Sequence, residues 1–269
     1  MIDFVPDYEL AQEQVHKDLF NTYTSAYVVT NEELRISMNF VPKKCENALV
    51  VAASGDHPLF CSLFGAKHVD TFDVSYNAKC MMDIKVAALN CLEYLDYGQF
   101  LEDLYTSCKS ASIDITSVKN MDKILQKLPE TEADYIRTLK CEPLFSRGPS
   151  PIESGVLPTF TEYCKMRKKI VKPYNFFLTN IYSLYKYLEK PYDFVHLSNI
   201  FDYVSEGHYE EILLPLMQHI NRGGRIVIEN FDDDYSFGLD YVERKILSAL
   251  DNNFVLKRSQ WAHILERTK

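Results

Sequence analysis

Glycine is scarce in this chain: the 269 residues include only 9 glycines, well below the usual share of about 7%. Each glycine is therefore expected where the backbone needs its conformational freedom. The glycine-rich motifs of two nucleotide-binding classes are also missing, namely G-x-G-x-x-G for dinucleotides and G-x-x-x-x-G-K-[ST] for triphosphates. These absences argue against a dinucleotide fold and against a P-loop enzyme.

Membrane, secretion and redox signals are missing as well. No apolar run approaches the roughly 20 residues of a membrane span, and the start of the chain lacks a signal peptide's basic and apolar regions. The seven cysteines are odd in number and show no C-x-x-C spacing, which is typical of reduced thiols. We therefore expect a cytoplasmic protein with no transmembrane segment and no metal site.

The charge balance is acidic, with 29 Lys and Arg against 38 Asp and Glu and a net charge of −9. Nucleic-acid-binding domains are usually basic, so no nucleic-acid partner is expected. The sequence leaves the oligomeric state open.

What is present is an alternation of short apolar runs and amphipathic helical patterns, which is typical of an α/β fold with a parallel sheet. The two last runs have a two-residue link and predict a hairpin, hence an antiparallel last strand. The predicted strands are Ala48–Ala53, His68–Val74, Tyr174–Leu178, Tyr192–Leu197, Arg225–Glu229, Phe254–Arg258 and Trp261–Glu266.

The same patterns divide the chain into a helical cap over residues 1–44 and a sheet domain over 45–269, with a helical insertion at about 100–172 that we interpret as a lid. A T-x-x-E capping box, Thr30–Glu33, predicts a helix through Phe40. Ser75 is a predicted cap of a long helix. Its apolar face is predicted to consist of Met81, Ile84, Ala88, Leu92 and Leu95.

Three polar features follow predicted parallel strands, at the sheet edge where open α/β sheets bind ligands. Ala53–Asp56 follows the first strand and contains Gly55. Asp73, next to Val74, ends the second strand and suits the hydroxyls of a ribose, and Asn180, next to Ile181, follows the third. Together they predict a nucleoside cofactor, although a turn-forming role for Asn180 is an open alternative.

Several segments resemble the DUF3419 family, whose members include betaine-lipid synthases that transfer the 3-amino-3-carboxypropyl group of S-adenosylmethionine (AdoMet). Departures after Tyr23–Ser25, at Asp232–Asp234 and at the chain end leave the acceptor open. The antiparallel last strand also fits the Rossmann-like class I AdoMet-dependent methyltransferase fold. The matching segments are Tyr23–Ser25, Val50–Asp56, Val69–Val74, Ile84–Ala88, Tyr192–Asn199 and Arg222–Val227, the last being similar to class I AdoMet methyltransferases generally.

The resemblance implies an AdoMet pocket. The first loop would hold the methionine part, partly through backbone N–H groups and a carboxylate. Asp73 would accept from the ribose, Asn180 and Ile181 would frame the adenine, and the residues after the fourth strand would line the sulfonium. The implied cofactor residues are Ala53, Ser54, Gly55, Asp56, Asp73, Val74, Asn180, Ile181, Ser198 and Asn199.

On the acceptor side, Asn199, Tyr27 and Asp202 are the candidate catalytic residues, and Tyr23, His57, His196 and Tyr203 are further possibilities. The expected acceptor is a small or lipid-like molecule. Methyl transfer, aminocarboxypropyl transfer, an NAD-dependent oxidoreductase and a non-catalytic binding module all remain as alternatives. Ser198 and Asn199 also fit an ordinary strand-to-loop cap.

Overall fold

The computed structural model describes residues 28–30, 32–109, 113–138, 140–141, 150–170, 174–204, 206–229, 253–258 and 262–269. The helices are α1 Leu34–Ser37, α2 Asp56–Phe64, α3 Tyr76–Cys91, α4 Tyr94–Lys109, α5 Met121–Leu125, α6 Glu130–Thr138, α7 Phe160–Lys169 and α8 Tyr209–Gln218. The strands are β1 Asn47–Val51, β2 His68–Asp73, β3 Ile113–Asp114, β4 Lys140–Cys141, β5 Asn175–Leu178, β6 Tyr192–His196, β7 Ile220–Glu229, β8 Phe254–Arg258 and β9 Ala262–Arg267.

Seven of these strands form one sheet in the order β5-β2-β1-β6-β7-β9-β8. The pairs from β5 to β7 are all parallel, whereas β9 runs antiparallel to both β7 and β8. This arrangement confirms the predicted fold class, a mostly parallel α/β sheet with an antiparallel last strand, as in Rossmann-like class I AdoMet-dependent methyltransferases. Strands β3 and β4 pair separately as a short antiparallel ladder.

The central strand β1 is buried on both sides, as its continuous apolar sequence predicts. Ala48 and Val50 belong to one hydrophobic cluster, while Leu49 and Val51 belong to the other. Successive side chains of a strand point to opposite faces. The helices α2, α3 and α7 therefore cover one face of the sheet, and α8 covers the other.

Two local predictions are wrong. The Thr30 hydroxyl accepts the N–H of Glu32 rather than that of Glu33, and the Thr30 N–H is donated to Asp56 rather than to the Glu33 side chain, so α1 begins at Leu34 without a side-chain cap. Leu95 is 80% exposed, because the long helix ends at Cys91 and α4 begins in a new register.

A capping box does occur at α7, where Thr159 and Glu162 bond reciprocally. The lysines Lys165, Lys168 and Lys169 of this helix are exposed, whereas Tyr163, Met166 and the following Ile170 are buried. Arg35 pairs with Glu162 and so ties the segment before β1 to α7.

Helix α6 is attached to α3 by a buried charge network. Lys79 lies 2.5 Å from Asp83 and 2.9 Å from Glu132 of α6. Burial raises the pKa of Asp83 to about 7, against the opposing charge of Lys79. Residues 1–27, most of the predicted cap, lie outside the described residues. In the described part of the chain, no helix combines the length and the apolarity required to cross a bilayer.

Candidate functional site

The sheet has a topological switch point between β1 and β6. From β1 the chain proceeds outward through β2 to β5, and from β6 it proceeds in the opposite direction to β7. In open α/β sheets, ligands bind at the carboxyl ends of strands at such a point. Ala53 after β1 and Ser198 after β6 both have positive φ angles, 45° and 54°. Non-glycine residues rarely adopt this conformation, and they concentrate at functional sites.

Gly55 is required at this edge by packing as well as by its backbone angle. Its φ is 81°, and a Cβ atom built there would lie 2.6 Å from the Cα of Met82 in α3. Its N–H is donated to the carbonyl of Ala52 at 2.7 Å. The absence of a side chain at Gly55 therefore allows the close approach of α3.

The Asp56 carboxylate is the centre of a buried network rather than an exposed anion. One oxygen lies 2.6 Å from the ammonium of Lys85, which is fully buried in α3. The other oxygen accepts from the Ser54 hydroxyl at 2.7 Å and from the Thr30 N–H at 3.1 Å. These bonds fix the first loop against α3 and against the segment that precedes β1.

Asp73 faces the same edge from the end of β2. Its carboxylate accepts the N–H groups of Ala53 and Ser75, each at 2.9 Å. Burial raises the pKa of Asp73 to about 6, although these backbone bonds oppose the shift. The N–H of Val74 also bonds to this carboxylate. A carboxylate has about four lone-pair sites, so acceptor capacity remains for a ligand that donates a hydrogen bond. The neighbouring Val74 is half-buried.

Asn180 and Ile181 reach this edge from β5. The N–H of Thr179 is donated to the Asp73 carbonyl at 2.9 Å, which fixes the β5 loop beside the β2 loop. The Asn180 side-chain oxygen accepts the N–H of Ser183 at 2.9 Å, so it forms the turn that was the alternative reading. Ile181 is buried in the cluster on the α8 face.

Ser198 is linked to the segment before β1. Its hydroxyl donates to one oxygen of Glu32, and the other oxygen of Glu32 lies 2.6 Å from the Nε2 atom of His57. Asn199 is at the N-terminus of a 3-10 helix, Ile200–Tyr203. Tyr27 and Tyr23 lie outside the described residues, as do the side chains of Asp202 and Tyr203.

His196 on β6 completes this buried group. Its Nε2 atom lies 2.8 Å from Glu229 of β7, and its ring centroid is 5.2 Å from that of His57. Burial alone would lower the pKa of His57, but the charge of Glu32 and its hydrogen bond outweigh burial and raise it. Burial likewise opposes ionisation of Glu32, and His57 reverses this effect and lowers the pKa of that carboxyl.

The structure thus brings the predicted loops after β1, β2, β5 and β6 to one edge. Sequence reasoning missed Glu32, Lys85 and Glu229, and it listed His57 and His196 only among weak acceptor-side candidates. Lys85 could have been found, because a lysine on an otherwise apolar helix face indicates a buried charge that needs a partner. No local sequence signal indicated the role of Glu32, because its partners His57 and Ser198 are 25 and 166 residues away.

No protein-family model matches this chain, and no curated protein matches it. Similar solved structures include an rRNA methylase from Streptococcus thermophilus, with 13% identity, a TM-score of 0.43, and 88% of this chain and 98% of that one covered. The N-methyltransferase NodS from Bradyrhizobium japonicum WM9 in complex with S-adenosyl-L-homocysteine has 8% identity and a TM-score of 0.44, covering 97% and 98%. Magnesium protoporphyrin IX methyltransferase from Synechocystis PCC 6803 with bound AdoMet has 12% identity and a TM-score of 0.41, covering 97% and 79%. At these values we base function on the site alone.

Proposed function

We propose that this protein is an AdoMet-dependent transferase whose cofactor binds at the carboxyl edge of β2, β1 and β6. One observation carries the proposal: the two loops of the topological switch point, after β1 and β6, are both held in positive-φ conformations, beside a carboxylate that ends β2. Strained backbone of this kind persists where the surroundings enforce it, and it is concentrated at ligand sites.

Asp73 is the proposed ribose acceptor. Its backbone bonds hold the carboxylate at the edge and leave acceptor capacity for the ribose hydroxyls. Val74, Asn180 and Ile181 are proposed to frame the adenine, with the amide nitrogen of Asn180 as the polar group.

The methionine part is proposed to lie along the loop from Ala53 to Gly55 and to reach Ser198 and Asn199. Because the Asp56 carboxylate is occupied by Lys85 and Ser54, we propose that it positions this loop. The ammonium of the cofactor would then donate its hydrogen bonds to other acceptors at this edge.

AdoMet is preferred to NAD for two reasons. The first loop contains a single glycine, Gly55, whereas the dinucleotide fingerprint needs three. The antiparallel β9 also lies between β7 and β8, an arrangement that fits the transferase fold better than a dehydrogenase.

AdoMet is already activated for displacement at a carbon next to the sulfonium, so the protein mainly aligns donor and acceptor. The likeness to the DUF3419 family favours transfer of the aminocarboxypropyl group to a small or lipid-like acceptor. Asn199, Tyr27 and Asp202 are the proposed acceptor-side residues. We further propose that residues 1–44 form a cap and that the insertion at about 100–172 acts as a lid on the acceptor side.

Calorimetric titration with S-adenosylhomocysteine tests the cofactor proposal. We expect micromolar affinity for the wild-type chain and a loss of at least about a hundredfold in Asp73→Asn, because two charge-assisted bonds to the ribose are weakened. Asp122→Asn, which removes an exposed carboxylate on α5, is the matched control and should bind normally.

Two results would contradict the proposal: a well-folded wild-type chain that binds neither AdoMet nor its product, or a thermal shift with NAD instead. When a cell extract supplies the acceptor, the nucleoside product that is released identifies the group transferred. Methylthioadenosine indicates aminocarboxypropyl transfer, and S-adenosylhomocysteine indicates methyl transfer. Tight binding without either product would favour a non-catalytic module.

A further inference from the structure

Beneath the proposed cofactor edge lies a buried group of metal-ligating side chains, consisting of Glu32, His57 and His196. One donor atom from each residue lies within 4.8 Å of the others. The three residues are 4%, 1% and 0% exposed. They come from three separate parts of the chain: the segment before β1, the start of α2, and the end of β6.

The hydrogen bonding of the two imidazoles leaves a donor atom on each ring. The Nε2 atom of His57 bonds to Glu32 and that of His196 bonds to Glu229. The Nδ1 atoms of both rings are buried and have no hydrogen-bond partner among the described residues. An unpartnered buried polar atom costs about 1–3 kcal/mol, so the Nδ1 atom of His196 calls for an explanation. The Nδ1 atom of His57 points away from Glu32, which bonds to the opposite nitrogen of that ring, so on His57 it is the Nε2 atom that could share an ion with the Glu32 carboxylate.

The spacing of the rings fits a shared ion. A metal-to-nitrogen distance of about 2.1 Å and tetrahedral ligation place two coordinated imidazole centroids about 5 Å apart. The centroids of His57 and His196 are 5.2 Å apart. Two imidazoles and one carboxylate are the donor set of many catalytic zinc sites and of non-haem iron sites.

Two further side chains, Glu229 and Ser198, hydrogen-bond to the candidate ligands, as residues that orient metal ligands do. Glu229 holds the second nitrogen of His196, which is the carboxylate–histidine arrangement that orients metal ligands. The Ser198 hydroxyl bonds to the Glu32 carboxylate. Ser198 has a positive φ and belongs to the β6 loop, so the group is joined directly to the proposed cofactor edge.

We propose that Glu32, His57 and His196 bind one divalent transition-metal ion of the zinc class. The ion takes the place of the proton between the Nε2 atom of His57 and the Glu32 carboxylate, which lie 2.6 Å apart, and adds the unpartnered Nδ1 atom of His196. Its protein ligands are thus two imidazole nitrogens and one carboxylate oxygen, and one position stays open. Binding ties the segment before β1 to α2 and β6, so the metal organises the loop that carries Ser198. Its evidence does not rest on the proposed transfer reaction, and no step of that reaction is assigned to the ion.

The test uses the full chain, stripped with a chelator and titrated with Zn²⁺ alone by calorimetry, with elemental analysis of the dialysed product. We expect one ion per chain and a rise in melting temperature with added Zn²⁺, because a ligand that binds only the folded state stabilises it. His196→Gln and Glu32→Gln should each weaken binding at least about a hundredfold. His208→Asn, which alters an exposed histidine paired with Glu211, should bind like the wild type.

The proposal is overturned if the stripped wild-type chain takes up no more Zn²⁺, Mn²⁺ or Co²⁺ than His196→Gln, or if His208→Asn loses the ion equally. Should the site variants fail to fold, the absorption spectrum of the Co²⁺-loaded wild-type chain decides. Ligand-field bands without a thiolate charge-transfer band support this site. A thiolate band would place the ion on the cysteines and refute it. Neither readout depends on AdoMet binding, so failure here leaves the transferase proposal intact.

Discussion

Lys85→Met should destabilise the protein severely, because it leaves the Asp56 carboxylate without its buried counter-ion. The Lys85 ammonium is 2.6 Å from Asp56, and the two side chains are 0% and 3% exposed. Removing one member of a buried pair typically costs about 3–5 kcal/mol. For a chain of this size each kcal/mol lowers the melting temperature by roughly 2–4 °C, so a drop of roughly 6–20 °C is expected.

The assay is urea and thermal unfolding followed by circular dichroism, with Lys67→Met as the matched control. Lys67 makes an equally short bond to Glu46, 2.7 Å, but those side chains are 67% and 54% exposed. Exposed pairs contribute at most about 1 kcal/mol, so the control should unfold nearly like the wild type.

The double variant Asp56→Asn/Lys85→Met sharpens the test, because it removes both charges and can retain hydrogen bonds to Ser54 and Thr30. It should be more stable than Lys85→Met, with a coupling free energy of at least about 2 kcal/mol in the double-mutant cycle. The reasoning fails if Lys85→Met lowers the free energy of unfolding no more than Lys67→Met does. It also fails if adding Asp56→Asn to Lys85→Met lowers the free energy of unfolding further.

Affinity for S-adenosylhomocysteine should fall about tenfold per pH unit below about pH 6. The pKa of Asp73 is raised to about 6, and the ionised carboxylate is the proposed ribose acceptor. Calorimetry that finds no such fall would contradict this role of Asp73. The free energy of unfolding should rise as the pH is lowered through about 7. The pKa of Asp83 is about 7 in the folded chain and 3.8 ordinarily, so the folded state binds the proton of this carboxyl more tightly than the unfolded state does. In Asp83→Asn this rise should become smaller in urea unfolding curves, because the raised pKa values of Asp73 and His57 also contribute to it, whereas an unchanged rise would contradict the assignment to Asp83. Gly55→Ala should cost at least about 2 kcal/mol, because its φ is 81° and its Cβ would meet backbone at 2.6 Å. Gly98→Ala, in open space on α4, should instead gain up to about 1 kcal/mol, and equal effects of the two substitutions in thermal unfolding would refute the packing argument.

The parallel sheet could be predicted because its signals are local. The apolar run of β1 and the turn at Gly55 each lie within a few residues, and so does the hairpin of β8 and β9. The edge positions of Asp73 and Ser198 follow once the strands are known, since parallel strands end together.

The partners of the site could not be predicted, because they depend on long-range contacts. Thr30 and Glu33 have the spacing of a capping box, yet the Thr30 N–H is donated to Asp56, 26 residues away, and the Thr30 hydroxyl accepts the N–H of Glu32. The sequence places Lys85 on a helix but cannot show that its ammonium meets Asp56, 29 residues earlier.

The segment before β1 shares its hydrogen bonds with the interior of the protein. Thr30 donates its N–H to Asp56, and Glu32 divides its two oxygens between His57 and Ser198. Local opening of this segment would therefore break bonds to α2 and to the β6 loop in a single cooperative step. A shortened chain that starts at residue 45 would lose acceptors and donors that the sheet domain needs. The unit that folds thus begins upstream of the first strand, and amide exchange at residues 28–38 should slow together with exchange at the β6 loop when a ligand is bound.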